Sequence, residues 1–271
     1  MEKTIINNKT SSMGVFLRSV YQFRHLIISF AKRDLKARFV QTKLGLVWIF
    51  IQPLIALTIF TVFFDKLVHL ETGNVPYVAF AFSGMTIWYF FTNMISSAGT
   101  SLLQSQDLMR KVYFPKILLP ISKILVATVY FFVAFLLLII IMLILGMDFS
   151  PKWFYFPLVI LMTVLVGACI AIWLIVLTIK NRDLQHLIPY VVNFGIWLTP
   201  VFYPTTLIPE EYRDIIYYVN PIATTIDFFR SILFNIPFDW IYCVSFIPVL
   251  FFLIIGIHIF KNTERNMVDF L

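Results

Sequence analysis

Charged residues are scarce in this 271-residue chain, at 13% of the total, against roughly 25% in an ordinary soluble domain. Apolar residues reach 60%, and 30 of them are phenylalanine. This balance excludes a soluble globular domain and indicates an integral membrane protein. Strands of a membrane barrel would alternate in hydrophobicity over about ten residues. Runs such as FFVAFLLLIIIMLIL are instead continuously apolar, so we expect helices.

Motifs for catalysis and for metal binding are also missing. The chain has no GxxxxGK[ST] phosphate loop, no HExxH pair and no carboxylate cluster with metal-ligand spacing, so we expect no catalytic residue, metal or cofactor on it. Its two cysteines, Cys169 and Cys243, lack CxxC or metal-ligand spacing and are predicted to be packing residues. We expect no cleavable signal peptide, because a long polar and amphipathic stretch precedes the first apolar core.

Six windows are apolar enough to cross a bilayer, which takes about 20 residues. They cover residues 44–64, 77–99, 117–146, 154–179, 187–203 and 240–260. The fifth window is short and contains Pro189 and Pro200. Ionisable residues lie only near the window ends, whereas gradient-driven transporters usually carry them near mid-bilayer. An antiporter is therefore disfavoured, and transport would need an energy-coupling partner.

Basic residues predict the orientation of the chain. With a cytoplasmic amino terminus, most Lys and Arg fall on the inner side, and only Lys66, Lys152, Arg213 and Arg230 fall outside. The positive-inside rule therefore predicts that both termini are cytoplasmic. The net charge of +7 is then mostly a topology signal, and nucleic acid is not an expected partner.

A basic amphipathic segment runs directly into the first span at residues 32–54, KRDLKARFVQTKLGLVWIFIQPL. Apolar residues recur upstream at steps of three and four, which predicts one helix over residues 16–43 after a polar tail at 1–15. We expect this interface helix to lie in the headgroup plane and to attract anionic membrane lipid. The alternatives are a soluble helix packed on its own domain, and cations that serve only as lipid anchors. The cations proposed to face a partner are Arg33, Lys36, Arg38 and Lys43.

Two loops carry further signals. Residues 100–115, TSLLQSQDLMRKVYFP, predict a short polar helix ended by Pro115 and suited to docking a partner, with an ordinary connector as the alternative. Residues 204–235 combine a charged turn with an apolar stretch too short to cross the bilayer. They predict a re-entrant or interfacial hairpin in the outer leaflet, with a helix lying flat outside the membrane as the alternative.

The second arm of this hairpin has a predicted start and a predicted ion pair. Asn220 and Pro221 form a helix start, because proline is favoured in the first helical turn. Asp227 and Arg230, three residues apart, would pair on one helix face.

Four segments together resemble the membrane permease of ABC-type polysaccharide exporters, which move O-antigen, capsular polysaccharide or teichoic acid across the inner membrane. They are RDLKARFVQTKLGLVWIFIQPL at 33–54, QDLMRKVYFPKILLPIS at 106–122, LTPVFYP at 198–204 and the NPI…DFFRSILF run at 220–234. The resemblance extends over nearly the whole chain. It implies a homodimer of six-helix subunits in the bacterial inner membrane, paired with two nucleotide-binding subunits that hold ATP and Mg.

The resemblance also implies roles for particular residues. The interface helix and the second loop would contact the ATPase, the loop through Gln106, Asp107, Leu108, Arg110, Lys111 and Val112. Spans one and five would line an aromatic channel for a lipid-linked polysaccharide, with the candidates Phe50, Phe60, Phe63, Trp197, Phe202 and Tyr203. The external helices would form an outer gate containing Asn220, Pro221, Asp227 and Arg230.

The resulting hypothesis is an all-α membrane protein with one permease domain over residues 1–271, six spans within 44–260 and a cytoplasmic tail at 261–271. It would provide a translocation path and perform no chemistry. Two alternatives stay open: a permease of the same superfamily that exports a small amphipathic drug or lipid, and a membrane scaffold without transport.

Overall fold

The computed structural model describes residues 13–40, 47–63, 72–181 and 183–264, and the regular structure in these ranges is entirely helical. The α-helices, in chain order, are α1 (Met13–Gln22), α2 (His25–Val40), α3 (Val47–Phe60), α4 (Tyr77–Gly99), α5 (Ser101–Gln104), α6 (Gln106–Lys111), α7 (Leu118–Ile144), α8 (Phe156–Lys180), α9 (Leu184–Leu198), α10 (Glu210–Val219), α11 (Pro221–Phe234) and α12 (Phe246–Thr263). Three 3₁₀ turns, Pro151–Tyr155, Thr205–Leu207 and Trp240–Ser245, precede α8, α10 and α12.

Within the described residues, four helical segments are long and apolar enough to cross a membrane: Tyr77–Gly99, Leu118–Ile144, Pro151–Ile179 and Trp240–Thr263. They correspond to the second, third, fourth and sixth predicted spans and make the chain a multi-pass membrane protein. For the first span, α3 and a π-helical turn at 61–63 are described, while residues 44–46 and 64 lie outside the described residues. The count of six spans therefore stays a prediction.

The fifth predicted span, 187–203, ends earlier than expected. Its helix, α9, has 15 residues and stops at Leu198, because Pro200 has no N–H to continue the helical ladder. Residues 199–203 instead form a turn, and we call these five residues the outer corner, after the side of the membrane predicted for them. The prediction that this segment is helical through Tyr203 is wrong.

The protein core is built around α4, which is buried along most of its length and packs against α7, α8 and α11. Phenylalanine rings from three further elements meet in this core. The Phe135 ring centroid lies 4.2 Å from that of Phe156 and 6.0 Å from that of Phe229. Close approach of α4 to α8 depends on Gly167, where an added Cβ would come within 2.6 Å of the Met94 side chain.

The predicted single helix over residues 16–43 is two helices, α1 and α2, separated at Phe23 and Arg24. The Arg24 guanidinium donates to the Tyr21 carbonyl oxygen at 3.1 Å and lies 4.1 Å from the centre of the Tyr21 ring. This side chain therefore satisfies a carbonyl at the end of α1, where the helix stops. α2 then packs against α7. Residues 41–43 of the predicted helix lie outside the described residues.

The segment predicted to be external forms α10 and α11, joined at Asn220. The Asn220 Oδ1 accepts hydrogen bonds from the backbone N–H groups of Ile222 and Ala223, at 3.1 and 3.3 Å, and Pro221 occupies the first helical position. This is the helix start expected from the Asn-Pro pair. α11 is largely buried against α4 and α8, whereas α10 is mostly exposed.

Candidate conduit, outer corner and cytoplasmic collar

The side of α9 that faces away from the core is aromatic. Tyr190, Phe194 and Trp197 recur at steps of four and three residues, and each side chain is more than half exposed. A second apolar face lies on α3, where Ile55, Ile59 and its π-helical extension with Phe63 are also at least half exposed. Such extended apolar faces must be covered by lipid or by protein.

The predicted channel-lining residues occupy different environments. Phe63 and Trp197 are exposed, and Phe50 and Tyr203 are half-buried. Phe202 differs from the expectation, because its side chain is fully buried within the core. The Phe60 side chain lies outside the described part of the structure.

α3 and α9 have different neighbours in the single chain. α3 packs against α4 and α7, while α9 packs against α4 and α8. α4 is thus the element that both candidate lining helices share.

The outer corner is held by side chains from α4 and α11. Arg230 Nη1 donates to the Pro200 carbonyl oxygen at 2.8 Å, and Arg230 Nη2 donates to the Val201 carbonyl oxygen at 2.7 Å. The Tyr77 hydroxyl donates to the Phe202 carbonyl oxygen at 2.9 Å. Because these carbonyls lie past the end of α9 and have no helical partner, side chains must satisfy them.

Two more hydrogen bonds connect the outer corner to its surroundings. Asn220 Nδ2 donates to the Thr199 hydroxyl oxygen at 2.9 Å, which links the corner to the start of α11. The Tyr203 hydroxyl donates to the Trp197 carbonyl oxygen at 2.9 Å, which folds the corner back onto the aromatic face of α9.

Arg230 is 4% exposed, and within the described residues no Arg230–Asp227 ion pair lies within 4.0 Å; its direct hydrogen-bond acceptors include the carbonyl oxygens of Pro200 and Val201. Its guanidinium lies 3.6 Å from the centre of the Phe80 ring, which adds a cation–π contact. The sequence contained the signal for this site, an arginine inside an apolar helix. Tyr77 and Phe80, which complete the site, carried no recognisable signal.

At the other end of the molecule, α2 is joined to α7 through Asp34. Asp34 Oδ1 accepts from Arg33 at 2.9 Å, and Lys123 Nζ lies 2.9 Å from Asp34 Oδ2 in an ion pair that is not an aligned hydrogen bond. The Phe30 and Phe114 rings also pack together, with centroids 5.4 Å apart. Sequence reasoning used Lys123 only as a topology signal and missed Asp34.

Of the predicted interface-helix cations, Arg33 and Lys36 are exposed. The Arg38 side chain and the whole of Lys43 lie outside the described residues. The docking role of these cations stays a prediction.

The second loop contains two short helices, α5 and α6, followed by an extended segment to α7. Among the predicted coupling residues, Asp107, Arg110, Lys111 and Val112 are exposed, while Gln106 and Leu108 are half-buried. A cavity of about 320 Å³ opens beside α6 and is lined by Met109, Arg110, Lys111, Val112, Tyr113, Phe114 and Lys116.

Tyr113 was not among the predicted coupling residues, yet its side chain is 81% exposed at this cavity. Tyrosine and arginine are both enriched at protein interfaces, and Tyr113 lies beside Arg110 at this cavity. We therefore add Tyr113 to the candidate partner-facing surface.

Lys116 fastens the end of this loop to the end of α12. Its backbone N–H donates to Glu264 Oε1 at 2.5 Å, and its Nζ donates to the Glu264 carbonyl oxygen at 2.8 Å. Burial raises the pKa of the Glu264 carboxyl, and the Lys116 N–H and charge partly oppose this rise. We call α2, residues 105–117 and Glu264 the cytoplasmic collar, after the side of the membrane predicted for them, because these contacts connect its parts through α7.

Comparison with known proteins gives two results. The sequence profile of the ABC-2 type transporter family matches residues 25–234. An O-antigen export system permease protein RfbA from Myxococcus xanthus is 29% identical over 224 residues, which cover 81% of this chain and 84% of that protein. Two proteins of the same name from Klebsiella pneumoniae are 23% and 24% identical, over 91% of this chain and 95% of each protein.

Proposed function

The chain belongs to the ABC-2 type transporter family, and on this premise we propose that it is the membrane permease subunit of an ATP-driven exporter for a lipid-linked polysaccharide. The observation that carries the proposal is similarity over nearly the full chain to three proteins named as O-antigen export permeases. O-antigen, capsule and teichoic acid are all polymers of this class. The chain itself would perform no chemistry.

The proposed energy source is a separate ATPase that binds ATP and Mg, present in two copies. The cytoplasmic collar supports this proposal because α6 and Tyr113 expose charged and aromatic side chains beside a cavity. Lys116 and Glu264 connect the loop to α12, and Lys123 and Asp34 connect α7 to α2. A displacement of α6 by a bound ATPase would therefore reach α2, α7 and α12.

The proposed conduit forms between two copies of this chain. Support comes from the aromatic face of α9 and the apolar face of α3, which the single chain leaves exposed. Aromatic rings offer flat faces to sugar rings without fixing one register, which suits a sliding polymer. Trp197, Tyr203, Phe50 and Phe63 are the lining candidates with exposed or half-buried side chains, and the external helices would close the outer end.

The proposed location is the bacterial inner membrane, with both termini cytoplasmic. The basic residues of the collar favour this orientation under the positive-inside rule. Anionic lipid would then surround the exposed cations of α2.

Deletion of the gene and complementation would test the proposed function. We expect a strain without this chain to lose surface polysaccharide and to accumulate the lipid-linked polymer inside the cell, and we expect the intact gene to restore export. Normal surface polysaccharide in the deletion strain would overturn the proposal.

The two alternatives predict other results. ATP-dependent uptake of a small amphipathic dye by inverted vesicles would favour a drug or lipid exporter. Failure of any ATPase to co-purify with this chain would favour a scaffold.

A further inference from the structure

The outer corner is held more firmly than a connecting turn requires. The carbonyl oxygens of Pro200, Val201 and Phe202 all accept side-chain hydrogen bonds, from Arg230 and Tyr77. The donors come from α11 and α4, which are distant in sequence from the corner. Three elements therefore meet at this one turn.

Arg230 makes contacts on both sides of this junction. Besides the two corner carbonyls, its Nη2 is 3.3 Å from the Phe80 carbonyl oxygen and its Nε is 3.4 Å from the Ser83 hydroxyl. A lysine has one nitrogen and cannot reproduce this planar set of donors, whereas arginine carries five N–H groups in a fixed fork. The site thus requires the guanidinium geometry as well as the positive charge.

Gly84 lets the corner approach α4 closely. A Cβ at this position would come within 2.5 Å of the Val201 carbonyl oxygen and 2.8 Å of Arg230 Nη2. The surface of α4 is therefore shaped to receive both the corner and the guanidinium.

Building on the proposed function, we infer that Arg230 is a positioning residue for the conduit: it fixes the outer corner to α4 and thereby orients the aromatic side chains of Trp197 and Tyr203. These two residues flank the corner, and the Tyr203 hydroxyl bonds to the Trp197 carbonyl oxygen. Arg230 itself is buried, at 4% exposed. Its effect on the polymer is exerted through the corner that it holds.

A spin label at the end of α9 tests this inference. The label is attached at Leu198→Cys, which is exposed beside the corner, in a full-length chain with Cys169→Ser and Cys243→Ser, reconstituted in lipid vesicles. We expect Arg230→Lys to shift the spectrum to narrower lines, because the corner gains motion. We expect Tyr77→Phe, which removes one hydrogen bond, to produce a smaller shift in the same direction.

The chain offers two matched controls. Arg213→Lys changes an arginine that also donates to two carbonyl oxygens, those of Thr205 and Ile208, but within its own external segment. A label at Tyr190→Cys reports the same exposed face of α9 two turns from the corner. Neither Arg213→Lys with the Leu198 label nor Arg230→Lys with the Tyr190 label should narrow the spectrum.

The inference would be overturned if Arg230→Lys protein inserts into the membrane and the spectrum of the label at Leu198→Cys does not change. Loss of membrane insertion in Arg230→Lys, with Arg213→Lys intact, would also overturn it, because Arg230 would then be a folding requirement. The spectra are recorded without polymer or ATPase, so the two proposals can fail separately. If Arg230→Lys leaves the spectrum unchanged but the native chain exports polysaccharide, only the inference is refuted. If Arg230→Lys changes the spectrum but the native chain exports no polysaccharide, only the proposed function is refuted.

Discussion

Buried or half-buried charged side chains in this apolar protein have specific partners. Arg230 binds backbone carbonyl oxygens, Glu264 accepts from the Lys116 backbone, and Asp34 lies between Arg33 and Lys123. An unpaired charge is costly away from water, so each of these partners has a stabilising role. At the residue scale, the polar contacts therefore indicate which helices must stay together.

The ion pair between Asp34 and Lys123 should stabilise the contact of α2 with α7. Both side chains are mostly buried, at 15% and 14% exposed. We expect Asp34→Asn to lower the free energy of unfolding by about 1–3 kcal/mol, the usual range for an interaction with a charged partner. A double-mutant cycle with Lys123→Met, measured by denaturation in mixed micelles, checks this expectation.

Arg33→Lys is the control for this cycle, because the Arg33 side chain is 47% exposed. It keeps the positive charge beside Asp34, and an exposed ion pair contributes only about 0–1 kcal/mol, so the free energy of unfolding should change by less than about 1 kcal/mol. If the effects of Asp34→Asn and Lys123→Met simply add, the two residues do not interact and the prediction is wrong.

At the scale of helices, the most buried span among the described residues is also the least hydrophobic one. The most apolar window of α7 has a mean hydropathy of 3.1 and is 28% buried, whereas that of α4 has a mean hydropathy of 1.3 and is 83% buried. Lipid chains are as apolar as leucine, so the outer helices must be the more hydrophobic ones. α4 is surrounded by protein and can therefore carry Ser83 and Thr86.

This inversion explains what the sequence could predict. Long apolar windows locate spans well, and the second span has the predicted bounds, 77–99. They do not show which helix is central, because hydrophobicity does not distinguish a lipid neighbour from a protein neighbour. The end of α9 was missed for a different reason. Pro200 carried a local stop signal, but the apolar residues continue to Tyr203, and the donors Arg230 and Tyr77 that hold the non-helical turn are distant in sequence.

The aromatic face of α9 gives a prediction about transport. Trp197→Ala removes an exposed ring next to the outer corner. If the ring contacts the polymer, the variant should lower surface polysaccharide while the complex with the ATPase is recovered in normal yield. Phe251→Ala is the control, because it removes an exposed ring from α12. Equal export by both variants would contradict the prediction.

The exposed residues of α6 give a prediction about coupling. Asp107→Ala combined with Arg110→Ala removes two exposed charges from the collar. We expect this variant to insert into the membrane normally. Less ATPase should co-purify with it, or it should export less polymer for each ATP hydrolysed. The control is Lys152→Ala, in the 3₁₀ turn Pro151–Tyr155 that follows α7 in the chain. A normal ATPase yield together with normal export would refute a coupling role for α6.

At the scale of the whole molecule, polar contacts divide the protein into two ends. Lys116 and Glu264 meet where α7 begins and α12 ends. Beyond the other end of α7, Lys152 Nζ donates to the Ile236 carbonyl oxygen at 3.2 Å, in the loop that follows α11. The first end contains most of the loop cations of the described residues, and α10 with its acidic first turn lies towards the second. This distribution is the physical basis for assigning the two sides of the membrane.

Labelling from one side of the membrane tests this assignment directly. In a chain with Cys169→Ser and Cys243→Ser, we introduce either Tyr113→Cys in the collar or Glu211→Cys in α10, both at exposed positions. A membrane-impermeant maleimide added to intact spheroplasts should label Glu211→Cys and leave Tyr113→Cys unmodified until the membrane is opened. The opened sample controls for thiol reactivity, because both sites should then react. The reverse pattern would mean that the basic collar faces outward, and an ATPase in the cytoplasm could not then reach α6.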